Sequence, residues 1–289
     1  PEGMLSAMAH ANVIALLAVT LAGVATRLVV SERNNVSAQS RQAHGIRSRL
    51  TYLLSGWMYR KAHCVHAVSA GVADTTAHQL ALPRDRVKVV YNPVISPTLS
   101  ALIDQAVDYS WLPSDKRPLI VAAGRLTKQK DFTSLLGAFA RVRKLVDCRL
   151  VIMGEGELRE ALERVIEELG IRHSVILPGF VDNPFAVIRR ADLFVLSSAW
   201  EGLPNVLIQA MACGTPVVST DCPSGPAEIL ENGKWGRLVP IADSESMAEA
   251  IIATLKEEHH PDVKMRAAYF SVDRAVHGYS ELLLPDIGK

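Results

Sequence analysis

Strands and helices alternate along most of this chain, and that alternation predicts an α/β protein whose parallel sheets are covered by helices on both faces. Two further observations refine the expectation. A length of 289 residues is more than one core of ~100–150 residues takes up, and the pattern breaks once, at a proline-bearing stretch. The fold expected is therefore two Rossmann-like units facing each other across a cleft. Ligands of such sheets sit at the carboxyl ends of the strands.

The elements follow in order. Met4 to Thr26 carries no charged side chain, so a membrane span, which needs ~18–20 apolar residues, has to be weighed. His10 and Asn12 interrupt the run and Gly23 reads as a helix stop, so a helix followed by a buried strand at Leu28 to Ser31 is the better reading. A helix from Ile46 to Lys61, a strand from Val65 to Ser69, a helix after Gly71 and a strand from Val87 to Tyr91 complete the first unit. Asn92-Pro93 ends it. This gives residues 1–94 as an acceptor-side unit and 95–117, with Pro97 and Pro113, as a linker.

The second unit spans residues 118–270. Its first strand, Leu119 to Ala123, leads to a helix with Phe132, Leu135, Leu136, Phe139, Val142 and Val146 at helical spacing. Strand Arg149 to Met153 precedes a helix marked by Leu158, Ala161, Leu162, Val165, Ile166 and Leu169. Further strands are expected at Val175 to Leu177, Leu193 to Leu196, Pro216 to Ser219 and Gly236 to Val239. Residues 271–289 form a last helix that packs back on the first unit.

Composition excludes some functions. With 31 basic and 30 acidic residues there is no global field to recruit nucleic acid, so an anion site needs locally placed cations. Four scattered cysteines, Cys64, Cys148, Cys213 and Cys222, form no C-x-x-C pair, which argues against a zinc cluster or a disulfide framework and fits a reducing compartment. No Ser-His-Asp set, paired-carboxylate nucleophile or metal cluster stands out. The chain opens at Pro1 inside an apolar segment, which reads as a truncation.

Three turns carry chemistry. The first, Gly124-Arg125-Leu126-Thr127-Lys128-Gln129-Lys130-Asp131, follows a strand directly. Gly124 permits a tight exit, Arg125 offers a planar fork of donors, and Lys130 brings a point charge to the start of a helix. Such a turn is either a diphosphate site or a solvated basic loop. In the second turn, Glu201-Gly202-Leu203-Pro204, Pro204 suits a first helical turn, leaving the backbone N–H groups of residues 201–203 open to an oxygen ligand. Glu201 is then an acceptor for sugar hydroxyls or a helix cap, and Gln209 lies about one and a half turns into the helix. The third turn, Asp221 to Leu230, is a second anion cradle or a cleft-lining cap whose helix ends at Asn232-Gly233.

Together with Met153-Gly-Glu-Gly156 and Gly179-Phe180-Val181, the runs G-R-L-T-K-Q-K-D and E-G-L-P-N-V-L-I-Q-A-M-A-C-G-T-P-V-V make the chain resemble glycosyltransferase family 4, essentially over residues 1–285. The resemblance implies the GT-B fold and a retaining transfer of sugar from a nucleotide sugar, with no cofactor and no required metal. It assigns catalysis to Arg125, Lys130 and Glu201, the two cations on the donor diphosphate. Gly124, Gly202, Leu203, Pro204, Asn205 and Gln209 join Phe180 and Val181, near the base, in donor binding. Gln209 stands where the family's second glutamate binds ribose, so hydrogen bonding is kept and charge is lost. Glu32, Arg33 and Asn34 occupy the acceptor side, where many relatives place a histidine. The family's amino-terminal glycine-rich loop has no counterpart, so the first two or three βα units are expected to be missing. S-G-P-A-E-I-L resembles members that build bacterial surface polysaccharides such as lipopolysaccharide, commonly from UDP-sugars. The partners implied are a nucleotide-sugar donor and a glycan or lipid-linked acceptor, with no nucleic acid, in the cytoplasm.

Two other readings fit the sequence. Gly154-Glu155-Gly156 follows a strand, as in dinucleotide-dependent oxidoreductases, but the third glycine of that fingerprint is absent. A nucleotide-sugar-binding fragment without catalysis is the other. Finally, Ile46, Leu50, Leu53, Leu54, Trp57 and Met58 recur at helical spacing among Arg41, Arg47, Arg49, Arg60 and Lys61. This is a core helix, or a basic amphipathic surface on anionic lipid at the inner face of the cytoplasmic membrane, with Trp57 and Tyr59 at the interface.

Overall fold

The computed structural model describes residues 1–34, 56–112 and 115–284. The first sheet holds β1 (Gly3–Ala7), β2 (Arg27–Glu32), β3 (Cys64–Ala67) and β4 (Val87–Val89) in that spatial order. All its pairs are parallel, with Val30 beside Val65 and Val65 beside Val87. Such a sheet is shielded on its faces, which is why Leu28, Val29, Val30, Val65 and Val87 are all buried. Helix α1 (Ala9–Ala22) precedes β2 and ends at Gly23, as expected; α2 (Ala70–Gln79) follows β3, capped by Ser69 Oγ on the Val72 amide.

The uncharged run Met4 to Thr26 is therefore a strand and a helix, and β1 is an element the sequence reading did not separate. Among the described residues no helix is long and apolar enough to cross a membrane. The segment expected as a helix from Ile46 falls largely outside the described residues. Residues 56–59 of it are helical, with Trp57 58% exposed under the Lys61 ammonium and Met58 buried. Tyr59, which the lipid-surface reading places at the interface and the core-helix reading does not, is fully buried, and its phenol donates to the Glu32 carboxyl.

Residues 97–104 of the linker form a helix, α3 (Pro97–Asp104), started by Ser96 as cap and Pro97 in its first turn. It packs against the helix Pro184–Arg189 of the second unit.

The second sheet has six parallel strands. They are β5 (Leu119–Ala123), β6 (Arg149–Met153), β7 (Val175–Gly179), β8 (Leu193–Leu196), β9 (Val217–Thr220) and β10 (Arg237–Val239), in the order β10-β9-β8-β5-β6-β7. Helices α4 (Phe132–Arg143), α5 (Arg159–Glu168), α6 (Pro184–Arg189), α7 (Asn205–Cys213), α8 (Pro226–Ile229), α9 (Ser244–Lys256) and α10 (Val263–Ala267) alternate with them. One core packs α4 and α9 on one face, through Leu135, Phe139, Met247 and Ile251. A second core continues from the other face, through Leu207, Met211 and Phe270, into the first unit at Val65, Val72 and Val94.

The chain crosses between the units twice, side by side. Val94 and Ile95 both donate to Phe270 O at 3.0 Å, Val272 donates to Ile95 O at 2.9 Å, and Ile95 bridges Ser271. Beyond that crossing α11 (Val272–Leu283) returns to the first unit. It lies on β1 and β2, with the Arg27 guanidinium donating to Leu282 O at 2.7 Å and Tyr279 against His66.

Candidate donor site at the cleft

The site is made by turns leaving the carboxyl ends of β5, β6, β7, β8 and β9. The first two lock together through backbone bonds: Gly124 donates to Met153 O at 2.9 Å, Leu126 to Glu155 O at 2.9 Å, and Leu158 to Leu126 O at 3.0 Å. A Cβ on Gly154 would stand 2.1 Å from Gly124 O, at a φ of +137° that other residues avoid. Glycine is needed there because two turns touch. The backbone at Gly154 and Gly156 is thus packed against the Gly124 turn and is not free to form a glycine-rich phosphate cradle, which counts against the dinucleotide reading.

Arg125 is exposed and, among the described residues, makes no ion pair. It borders a cavity of about 350 Å³ lined also by Gly124, Glu155, Phe180, Val181 and Pro184. Phe180 is 78% exposed and Val181 buried, so an open aromatic face stands beside a cation, an arrangement that suits a flat base linked to a phosphate.

Lys130 is not the uncommitted cation the sequence suggested. Its ammonium meets Glu201 Oε1 at 2.5 Å, with both side chains largely buried. Asp131 caps α4 by accepting from the Ser134 amide, and Ser197 Oγ holds Lys130 O at 2.7 Å. Glu201 is no helix cap. Ser198 Oγ donates to the same Oε1 at 2.7 Å, so one oxygen takes both bonds. Gln129 Nε2 adds a bond to Trp200 O at 3.0 Å. Neither serine nor Gln129 was assigned a role from sequence, since spacing alone does not show which hydroxyls meet a carboxylate 71 residues away from its lysine.

The helix-mouth expectation needs correction at two points. Helix α7 begins at Asn205, with Pro204 just before it, and the Glu201 amide is not open, because it donates to Pro223 O at 3.3 Å. Gly202 and Leu203 are buried, and a Cβ on Gly202 would meet Arg33 O at 2.1 Å. Asn205 accepts from Asn92 Nδ2 at 2.8 Å, and half-buried Gln209 lies one turn further on the same helix face. The third turn is shorter than expected: α8 ends at Ile229, and Glu228 reaches into the first unit.

On the acceptor side the three expected residues separate. Glu32 is buried at the end of β2, where Tyr59 donates to it and Asn12 Nδ2 approaches at 3.5 Å. Burial pushes its carboxyl up, against the lowering effect of those bonds. Its carboxyl is thus committed to Tyr59 and Asn12. Arg33 and Asn34 are exposed, and Arg33 donates to Asn92 Oδ1 at 3.4 Å, extending the Asn92–Asn205 link between the units. Burial also pushes the Cys213 and Cys222 thiols up to about 12, which keeps both out of thiolate chemistry near neutral pH.

The family Glycosyl transferases group 1 matches residues 107–269, more than half the chain and all of the second sheet with its turns. The chain belongs to this family. The chain is 31% identical over 260 residues to a Campylobacter jejuni N-acetylgalactosaminyltransferase named for a diphospho-undecaprenol acceptor, covering 89% of this chain and 67% of that protein. It is 31% identical over 204 residues to the lipopolysaccharide core biosynthesis glycosyltransferase LpsE of Rhizobium meliloti, covering 71% and 55%. It thus spans between about half and two thirds of the length of such relatives. Its fold is GT-B, as in HepE of Anabaena crystallised with UDP, at a TM-score of 0.79 and 21% identity over 96% of this chain and 78% of that one. The lipopolysaccharide outer core galactosyltransferase WaaB aligns at a TM-score of 0.74 and 20% identity, covering 99% and 76%.

Proposed function

We propose that this group 1 glycosyl transferase carries the donor half of an enzyme that moves a hexose from a UDP-sugar to a glycan or lipid-linked acceptor, with retention, in cell-surface polysaccharide assembly. The observation that carries the proposal is the cavity beside Arg125 and Phe180, on the same Gly124–Asp131 turn that carries Lys130 to its pair with Glu201. The base stacks near Phe180 and Val181, Gln209 takes a ribose hydroxyl, and the diphosphate lies between Arg125 and Lys130. Glu201, with Gly202, holds the sugar.

In the transition state positive charge grows on the sugar ring and negative charge on the departing diphosphate. Fixed cations at the phosphate stabilise that state more than the bound donor, and so accelerate the step. Lys130 is prearranged for this: it lies against Glu201 until a phosphate offers a second anion, and Ser198 keeps the carboxylate in place meanwhile. In this proposal the leaving group needs no metal, and the donor phosphate takes the acceptor's proton on the face it leaves. A lipid-linked acceptor, the kind named for the Campylobacter jejuni relative, would bring the cleft to the inner face of the cytoplasmic membrane.

The test is transfer from UDP-linked hexoses and N-acetylhexosamines to diphospho-undecaprenol-linked glycans, with anomeric configuration read by proton NMR and with EDTA present. Retained configuration and EDTA-insensitive turnover are expected. Binding of the donor without any turnover by the full-length protein would leave the non-catalytic reading in its place.

A further inference from the structure

The turn after β9 has a second partner across the cleft that the donor reading does not use. Both oxygens of Glu228 accept from the Ala70 amide, at 2.9 and 3.0 Å, at the start of the ten-residue helix α2. The Tyr91 phenol, in the segment after β4, donates to Glu228 Oε1 at 2.6 Å. One carboxylate of the second unit thus closes on two separate elements of the first, and it meets the positive end of a helix dipole. Beside it Ser69 Oγ donates to Gly202 O at 2.7 Å.

The same turn is fastened to the donor site. Pro223 O accepts from the Glu201 amide at 3.3 Å. Gly225, at a φ of +102°, packs so closely that a Cβ there would meet Pro204 Cδ at 2.5 Å and Gly202 O at 3.2 Å. Arg266 holds the far side by donating to Glu228 O and Ile229 O, both at 2.8 Å. A continuous set of contacts therefore runs from the first unit through Glu228 to the turn that carries Glu201.

We infer that Glu228 is a positioning residue, a latch that fixes the opening between the two units and holds the Glu201 turn in register with the acceptor side. It touches neither reacting atom. Its effect passes through the 223–225 turn to Glu201. Burial and the neighbouring carboxylate push the Tyr91 phenol up, so Tyr91 stays a donor to Glu228 over the working pH range.

The effect on turnover rests on the donor-transfer reading, whereas the latch itself is measured without turnover. Amide exchange at Ala70 by NMR and the radius of gyration by small-angle scattering are compared in the unaltered chain, Glu228→Ala, Glu228→Gln and Tyr91→Phe. Loss of a charged hydrogen-bond partner is expected to speed exchange at Ala70 by about tenfold or more in Glu228→Ala and to enlarge the radius. Tyr91→Phe, which removes one hydroxyl and is expected to fold normally, should give a smaller change in the same direction. In the full-length enzyme kcat should fall with donor KM little changed, and Glu228→Gln should recover part of it. Ala70 exchange within twofold of the unaltered chain in every variant would overturn the latch. So would a rise in donor KM equal to the whole loss of kcat/KM, which would make Glu228 a donor contact. Failure of UDP to bind the unaltered chain would count against the donor reading and leave the exchange result standing.

Discussion

Under the proposed function, the largely buried Lys130–Glu201 pair holds a charge for the donor phosphate. A lysine largely withdrawn from water is costly unless an anion accompanies it, and Glu201 supplies one at 2.5 Å while Ser198 fixes the same oxygen. Removing the carboxylate charge by Glu201→Gln releases the ammonium for a phosphate. UDP, which has no sugar for Glu201 to hold, should then bind the variant at least as tightly, by up to about tenfold or ~1.4 kcal/mol, while sugar transfer falls. Calorimetric titration of both proteins with UDP checks this, and a loss of affinity matching that of Lys130→Ala would refute it. A second residue contributes to the pH dependence of stability. Burial pushes His66 down to about 4, while its Nε2 lies 2.9 Å from Val90 O and its Nδ1 2.8 Å from Ser31 Oγ. The unfolded chain takes up this proton near the ordinary value of ~6.5 and the folded one does not. Stability from this group is thus complete above ~6.5 and is lost as pH falls from there towards 4. The melting temperature should drop across that window, and His66→Gln should flatten the slope.

At the level of elements, the turns matter more than the strands. Gly154→Ala puts a Cβ 2.1 Å from Gly124 O at a φ of +137°, so either the Met153 turn or the Gly124 turn must move. The expected cost is about 2–3 kcal/mol, seen in urea unfolding. Weaker UDP binding should accompany it, because Arg125 sits on the displaced turn. An unaltered midpoint would mean that the two turns are not in contact. The strands of the second sheet were legible because each is a short apolar run ending in a turn signal, and β5, β6 and β8 fall where expected, at Leu119–Ala123, Arg149–Met153 and Leu193–Leu196. β1 was hidden because Gly3–Ala7 and the helix after it share one uncharged run, in which neither period shows. α3 was hidden by prolines, although Pro97 is the residue that starts it. The motifs located the Gly124 and Glu201 turns, but pairing across the fold was out of reach. Nothing local in the sequence joins Lys130 to Glu201 or Glu228 to Ala70, and Glu32 looked open to the cleft because its partners Asn12 and Tyr59 lie 20 and 27 residues away.

At the scale of the molecule, two parallel sheets are joined by the paired crossing at Ile95 and Ser271 and by a core that runs through both units. The cleft between them brings an arginine, a paired lysine and an open aromatic ring to the carboxyl ends of the second sheet, with a net charge of only +1 over the whole chain. Anion affinity must then come from those few groups, so it should be lost with them and should weaken with salt. The most direct test is isothermal titration of the chain with UDP, for the unaltered protein, Arg125→Ala and Lys130→Ala, at low and moderate salt. Saturable binding to the unaltered chain, weakened about tenfold or more in each variant with the melting temperature nearly unchanged, is the predicted result. No heat at millimolar UDP, or equal affinities in all three proteins, would contradict the placement of the donor diphosphate between Arg125 and Lys130.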